Sequence, residues 1–459
     1  MATSRCKRHT AIPLSLDATS FVELLRDRGY ATGLIGKSHI QGMTGLPATA
    51  KRQVKPGLED PSDGLREADK RLRSGEAYEQ ETALRWQEDP AHRVRTPFYG
   101  FDHVQIADDH ADLVTGDYAV WLKQNHPEVE ASRGPDKAIK DNRYAAPQAW
   151  RTRIPEELYP THWIADQCQE YVKARADKAD PFFLMMSFPD PHHPFTPPGK
   201  YWDMYDPDDV ELPRSFGKSD IPPIQNLRRQ LAEAPETRVG QDPFAVTERE
   251  AREIIALTYG SITMIDDAIG RVLNTLEDQG LAEDTIVVFT SDHGDYMGDH
   301  GVMLKLLMHF QGLIRVPFIW ADPRHSAPRT DDALRNALDI GPTILETAGI
   351  QPFHGVQGFN VFEGGTERQG LIVEEDSQRK MVAFERPQRI RTYLEKDWRI
   401  TMRHGEAWNE MYDLKNDPDE AINLWNDPGH AEEQARLVQA MLSEMINLQD
   451  RAPLPTYRA

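Results

Sequence analysis

Hydrophobic and polar residues follow one another along this chain in a pattern that predicts alternating strands and helices. Continuous apolar segments, which are typical of strands buried on both faces, occupy residues 31–35, 182–188, 285–290 and 317–320. Helical periodicity marks residues 19–28, 161–173, 248–279 and 333–348. This alternation favours an α/β fold with a large, mostly parallel sheet that is flanked by helices on both faces.

Two regions depart from this pattern. Residues 47–160 are rich in proline, glycine and charge, which indicates an irregular insertion that we expect on the substrate-facing rim. After residue 370, short apolar segments predict strands at 371–373, 381–384, 389–392 and 398–402, followed by a helix near 431–448. The sequence therefore predicts a main α/β domain over 1–370 and an antiparallel-strand plus helix subdomain over 371–459.

Charge and cysteine content narrow the function classes. The 459 residues carry a net charge of −21, which disfavours nucleic acid and anionic membranes as partners. The two cysteines, Cys6 and Cys168, allow at most one disulfide. No apolar run approaches the roughly 18 residues that a membrane span needs. The first twenty residues lack the apolar stretch of a signal peptide, which favours a cytoplasmic location, and a homo-oligomer stays open.

Ser291-Asp292-His293-Gly294-Asp295 directly follows the predicted strand 285–290. A carboxylate and an imidazole at a strand end are suitable ligands for a divalent cation. An aspartate that caps the strand, beside a surface histidine, explains the same residues without a metal. The local sequence leaves both interpretations open.

Gly36-Lys37-Ser38-His39 also lies at a strand end. Strand alternation places Lys37 and His39 on the same side. A cation next to an imidazole suits an anionic ester, because the lysine neutralises oxygen charge and the histidine shuttles a proton. Taken alone, this segment is better explained as a solvated lysine and a loop histidine.

Two later segments contribute further candidates. Asp190-Pro191-His192-His193-Pro194 follows a buried strand, and its prolines stiffen the loop that presents the histidines. Lys305 is a candidate for a second lysine on the anion, with His309 as a further substrate-binding candidate, although a structural role for His300 and His309 is the alternative.

Asp108-Asp109-His110, with Asp112, has the composition of a ligand cluster. It falls in the irregular insertion, with no predicted strand before it. We therefore interpret it as a solvated acidic loop.

Together these segments resemble the sulfatase family of the alkaline-phosphatase-like superfamily, in order and over nearly the whole chain. The resembling segments are Leu24-Leu25-Arg26-Asp27-Arg28-Gly29-Tyr30 with Gly36-Lys37-Ser38-His39, Pro191-His192-His193-Pro194, Thr290-Ser291-Asp292-His293-Gly294-Asp295, Ala337-Leu338-Asp339-Ile340-Gly341-Pro342, and Met411-Tyr412-Asp413-Leu414 with Asn423-Leu424.

The resemblance implies a role for each candidate. Asp292 and His293 would bind one divalent cation, usually calcium in this family, with manganese as an alternative. Lys37 and Lys305 would grip the sulfate oxygens, while His39 would serve the nucleophile side. His192 would serve the leaving group, with His193 as the less favoured choice. The Asp-His form of the metal motif resembles the choline-sulfatase and phosphonate-monoester-hydrolase branches.

The resemblance is incomplete at its front. The family carries paired aspartates and then Cys/Ser-x-Pro-x-Arg, whose first residue matures to a formylglycine nucleophile, and neither is present in this sequence. Cys6-Lys7-Arg8 lacks the proline and the arginine spacing, so we do not assign Cys6 as the nucleophile. We expect the nucleophile upstream of Met1, and a misplaced start, a truncation and a genuine loss stay open.

Three functions remain in competition at this stage. The first is a sulfuric ester hydrolase with a sulfatase-type catalytic domain over 1–370. The second is a hydrolase of phosphonate monoesters or phosphodiesters, and the third is an inactive remnant or an anion-binding module. For the first two, we expect one pocket that contains Lys37, His39, His192, Asp292, His293 and Lys305.

Overall fold

The computed structural model describes residues 12–43, 45, 53–66, 73–325, 327–363, 368–381, 383–449 and 452–457. The strands are β1 Ala31–Gly36, β2 His103–Ile106, β3 Phe182–Ser187, β4 Phe244–Ala245, β5 Val287–Thr290, β6 Val302–Met303, β7 Phe318–Ala321, β8 Leu371–Asp376, β9 Arg389–Leu394, β10 Trp398–Arg403 and β11 Glu410–Asp413. The helices are α1 Phe21–Asp27, α2 Ala83–Glu88, α3 Gly116–Asn125, α4 Pro127–Glu130, α5 Pro160–Lys173, α6 Pro222–Glu233, α7 Glu248–Asp278, α8 Gln311–Ile314, α9 Ile340–Thr347 and α10 Ala431–Asn447.

A parallel sheet with strand order β2-β1-β3 lies at the centre of the main domain. Its β1 strand is almost fully buried, which explains the unbroken apolar sequence. Helices α5 and α7 pack against the sheet and against each other around Ile35, Cys168 and Met264. The predicted α/β class, with a helix-flanked parallel sheet, is confirmed.

Strands β5 and β7 depart from the expected arrangement. They pair with each other in antiparallel orientation, as a two-stranded ribbon, and within the described ranges neither pairs with the parallel sheet. Several of their apolar side chains are exposed, and Ile319 is 58% exposed. A continuous apolar segment predicts a strand but does not specify its partner, so strand direction was not determined by the sequence pattern.

The insertion is more regular than its composition predicted. Residues 103–106 form strand β2 of the parallel sheet, and α3 follows it with Tyr118 and Leu122 fully buried. The expectation of an irregular segment is therefore wrong for this part of 47–160. Strand β2 escaped detection because it is only four residues long and His103 and Gln105 interrupt its apolar pattern.

The C-terminal subdomain is an antiparallel sheet with strand order β11-β10-β9-β8, and α10 packs on it through Leu437 and Met441. Three of the four predicted strands are present. The described residues of the fourth, Met381, Ala383 and Phe384, are not in a strand, and Met381 and Phe384 instead fill an apolar cluster with α6 and the loop before α8. The domain boundary at residue 370 stays a prediction.

Buried ion pairs lie inside this subdomain, and one of their carboxylates also contacts the main domain. The Arg399 guanidinium lies between the carboxylates of Glu410 and Glu420, and all three side chains are almost completely buried. Glu420 also accepts a hydrogen bond of 2.7 Å from the backbone N–H of Gln311, which begins α8. Loss of one partner would leave a buried charge without compensation.

We therefore predict that Arg399→Met lowers the free energy of unfolding by about 3–5 kcal/mol, since Glu420 would lose its buried cation. Urea denaturation followed by circular dichroism measures this change. Lys396→Met, at an exposed turn position of the same subdomain, is the matched control and should change stability by less than about 0.5 kcal/mol. Equal effects of the two variants would show that the buried pairs contribute no net stability.

Candidate functional site

Three loops meet beyond the carboxyl ends of the parallel strands, where sites in α/β sheets form. The loop after β1 presents Lys37, whose backbone N–H donates a 2.9 Å hydrogen bond to the carbonyl of Ser187 at the end of β3. Gly36 has a φ of +113°, and a Cβ there would lie 1.8 Å from the same carbonyl oxygen. Only glycine therefore allows the β1 and β3 loops to approach this closely.

Lys305 lies between two histidine rings. Its Nζ is 2.7 Å from His192 Nε2 and 2.9 Å from His293 Nε2. Each ring uses its Nδ1–H to donate to a backbone carbonyl, that of His193 at 2.6 Å and that of Gly294 at 2.7 Å. Both Nε2 atoms therefore carry lone pairs, and the Lys305 ammonium donates to them.

His110 occupies a position that the sequence interpretation missed. Its Nε2 lies 3.3 Å from Lys37 Nζ, and its ring stacks on His192 with centroids 3.7 Å apart. His110, Asp108 and Asp112 are all buried, so the interpretation of this segment as a solvated loop is wrong. The physical reason is strand β2, which ends at Ile106 and carries the segment into the site. A histidine and two aspartates soon after Val104-Gln105-Ile106 were the available signal.

The main-chain segment around Lys305 is held in an uncommon conformation. Leu304, Leu306 and Leu307 have φ values of 71°, 95° and 64°, in the left-handed region that non-glycine residues seldom adopt. Glu375 of β8 accepts the N–H of Leu307 at 2.9 Å, and the Tyr296 hydroxyl donates to the carbonyl of Leu306 at 2.8 Å. The C-terminal subdomain therefore takes part in fixing the Lys305 segment.

His309 contacts the same support. Its Nε2 lies 3.0 Å from Glu375 Oε2, its Nδ1 lies 2.8 Å from Thr392 Oγ1, and the ring is buried. Both ring nitrogens are thus engaged by the C-terminal sheet. These contacts favour the structural alternative, and the role of His309 in substrate binding stays a prediction.

The lysines and the histidines of this site differ in their charge at neutral pH. Burial, together with the nearby Lys37 charge, lowers the pKa of Lys305 to about 8. Burial lowers the pKa of His110 to about 4 and that of His193 to about 3, with neighbouring rings and lysines adding to the effect for His193. At neutral pH the site thus contains two cationic ammonium groups among uncharged imidazoles. Such a pocket suits an anion.

Asp292 and His293 are donors of the right kind for a divalent cation. Asp292 Oδ2 lies 3.4 Å from His293 Nε2, and the Asp292 side chain is 71% exposed. Among the residues that the structure describes, however, no group of three or more histidine, cysteine, aspartate or glutamate side chains is placed to hold a metal. A hard cation prefers six or more oxygen ligands. The described residues therefore fit part of a metal site and not a complete one.

The remaining candidates lie around this cluster. His193 is buried, and its ring stacks on His192 with centroids 4.1 Å apart. His39 lies on the exposed part of the Lys37 loop, and its catalytic role stays a prediction. Cys168 is fully buried in the core, and burial raises the pKa of its thiol, which excludes it as an exposed nucleophile. Cys6, with the segment 3–9, lies outside the described residues.

The lowered histidine pKa values predict acid sensitivity. Below pH 6.5 the unfolded chain protonates these histidines while the folded site keeps them neutral, so stability is lost as the pH falls from 6.5 towards 4. Each such histidine should cost about 1.4 kcal/mol per pH unit in this window. Urea denaturation at pH 6.5 and 5.0 should show a smaller loss for the His110→Gln and His193→Gln variants. A His103→Gln variant, changed at an exposed position, should behave as wild type.

Comparisons with known proteins bear on these geometric findings. The sulfatase family model matches residues 1–350, and a model of the C-terminal region of N-sulphoglucosamine sulphohydrolase matches residues 298–448. In the structure, no helix of the described ranges has the length and apolarity needed to cross a membrane.

An arylsulfatase of Clostridium perfringens is 30% identical over 294 residues, which cover 63% of this chain and 58% of that protein. The multifunctional alkaline phosphatase superfamily protein PehA of Trinickia caryophylli is 27% identical, over 74% of this chain and 70% of that protein. The chain thus spans less than two thirds of the clostridial relative. A phosphonate monoester hydrolase of Agrobacterium radiobacter shares the fold, with a TM-score of 0.67 and 22% identity over 96% of this chain and 83% of that one. Because the family model matches well over half of the sequence, this chain belongs to the sulfatase family.

Proposed function

We propose that the site binds the sulfate group of a small sulfuric ester and that the protein acts as a sulfuric ester hydrolase. One observation carries this proposal, the position of two lysine ammonium groups around His192. Lys305 Nζ contacts the His192 ring itself, and Lys37 Nζ contacts His110, whose ring stacks on His192. Two partly buried cations in one pocket repel each other, and an anionic group that binds between them relieves this repulsion.

Each side chain has a task that follows from its position. Lys37 and Lys305 would donate to the sulfate oxygens and stabilise the charge that develops on them. His192 would serve the leaving oxygen. Its Nε2 lone pair faces Lys305 Nζ at 2.7 Å, so the neutral ring and the Lys305 ammonium would lie together beside the leaving oxygen. His39 is proposed for the nucleophile side, on the basis of family resemblance.

Asp292 and His293 are proposed as two ligands of a divalent cation, for which calcium is the first choice and manganese the second. A bound cation would polarise a sulfate oxygen and the nucleophile as a Lewis acid. The formylglycine nucleophile that the family resemblance implies has no counterpart motif in this sequence. We therefore assign substrate binding to the described residues and no covalent step.

Anion binding should depend on both lysines. Lys37→Ala and Lys305→Ala should each weaken the binding of inorganic sulfate, measured by isothermal titration calorimetry at pH 7, by about 10- to 100-fold. The reason is the loss of one charge-assisted hydrogen bond, about 1.5–3 kcal/mol. Lys178→Ala removes an equal charge from an exposed position and should leave the affinity unchanged. A similar loss in all three variants would mean that sulfate responds only to overall charge.

Turnover separates the remaining possibilities. We expect Cys6→Ser to hydrolyse an aryl sulfate in calcium buffer at the same rate as the wild type. The reason is that the segment around Cys6 lacks the proline and the arginine of the nucleophile motif. Loss of activity in this variant would make Cys6 the nucleophile. The same assay on an aryl phosphonate decides between the sulfate ester and the phosphonate or phosphodiester alternative. Binding of sulfate without turnover is the result expected from the missing nucleophile motif, and it would support the binding assignment alone.

A further inference from the structure

His110 lies between the two halves of the proposed site. Its Nε2 faces the Lys37 ammonium at 3.3 Å, and the face of its ring covers His192 at a centroid distance of 3.7 Å and an interplanar angle of 18°. We propose that His110 is a positioning residue that fixes the Lys37 ammonium and the ring plane of His192. The proposal rests on the function proposed above.

The hydrogen bonds of His110 set the direction of the Lys37 contact. His110 Nδ1 lies 3.2 Å from the carboxylate of Asp109, which can only accept, so Nδ1 carries the proton. The Nε2 lone pair then accepts one of the three Lys37 N–H groups. Two N–H groups remain for the anion, and the long lysine side chain, which is costly to immobilise, is ordered before the anion arrives.

Ring stacking restricts His192. Its ring lies against His110 on one side, and it also stacks on His193, with centroids 4.1 Å apart and planes inclined by 30°. The hydrogen bond from Nδ1 to the carbonyl of His193 fixes the rotation of the His192 ring within its plane. His192 Nε2 is thereby kept towards Lys305, where the leaving oxygen is proposed to bind.

The backbone around His110 is strained, and this strain is compensated by contacts to the Lys37 loop. Asp109 and Ala111, the residues on either side, have φ values of 74° and 56°. For alanine the left-handed conformation is unfavourable, because the Cβ atom approaches the following carbonyl oxygen. Asp108 holds the segment in place, because its carboxylate accepts the N–H of Ser38 at 2.7 Å and its carbonyl accepts the N–H of Thr115 at 2.6 Å. Strain of this kind persists where the surrounding structure demands one conformation, and it clusters at functional sites.

Two substitutions separate the two tasks of His110. His110→Gln keeps an oxygen acceptor for Lys37 but removes the aromatic face, whereas His110→Phe keeps the face but removes the acceptor. We expect His110→Phe to weaken inorganic sulfate binding about tenfold and His110→Gln to weaken it by no more than about twofold. Conversely, the imidazole nitrogen signals of His192 in 15N NMR spectra should shift in His110→Gln and stay close to wild type in His110→Phe.

Controls keep this proposal distinct from the proposed function. His103→Phe, at an exposed position of β2, should change neither measurement, and the thermal midpoint of each variant checks folding. If His110→Phe binds sulfate as wild type does while Lys37→Met does not, the positioning role is overturned and the anion site stands. If wild type does not bind sulfate, the proposed function fails, and NMR still decides: Lys37→Met should shift His110 Nε2, and a protonated Nε2 on His110 would overturn the positioning role.

Discussion

The central constraint in this structure is the presence of two lysine ammonium groups in one partly buried pocket. Burial and the proximity of Lys37 both act against the charge on Lys305. Neutral imidazole nitrogens stabilise both ammonium groups, because each nitrogen accepts a hydrogen bond from an ammonium without adding a negative charge. Carboxylates in the same positions would neutralise the lysines and remove the attraction for an anionic substrate. Histidine is therefore suited to the positions beside both lysines, because it orders the ammonium groups and leaves their positive charge free to attract an anion.

Keeping the imidazoles neutral and correctly oriented requires a second set of contacts. The Nδ1–H groups of His192 and His293 each donate to a backbone carbonyl, and His110 donates to Asp109. The parallel strands place two of these loops together, and Gly36 permits the close approach between β1 and β3. The Lys305 segment depends instead on Glu375, which belongs to the C-terminal sheet. The small subdomain, held by the buried Arg399 ion pairs, is for this reason part of the site and not an appendage.

The sequence predicted those parts of the site that follow strong apolar strands. Lys37 and His192 come directly after β1 and β3, whose unbroken apolar segments were easy to recognise. His110 was missed since β2 is a short edge strand with polar side chains, and only tertiary pairing reveals it. The antiparallel pairing of β5 with β7 could not be predicted either, because the periodicity of apolar residues indicates which residues are buried but not which strands pair. His309 was placed with the substrate candidates because a sequence shows that a histidine is near Lys305 but not that both its nitrogens are already used.

The chemistry of His293 links the lysines to the proposed cation. Its Nε2 has one lone pair, and in this structure the Lys305 ammonium donates to it at 2.9 Å. A divalent cation held by Asp292 and His293 would need that same lone pair, so Lys305 could not then keep this contact. Lys305 would retain its hydrogen bond to His192, at 2.7 Å, and would gain a free N–H for a substrate oxygen. The contacts of Lys305 and the binding of the proposed cation would therefore be coupled through a single nitrogen atom.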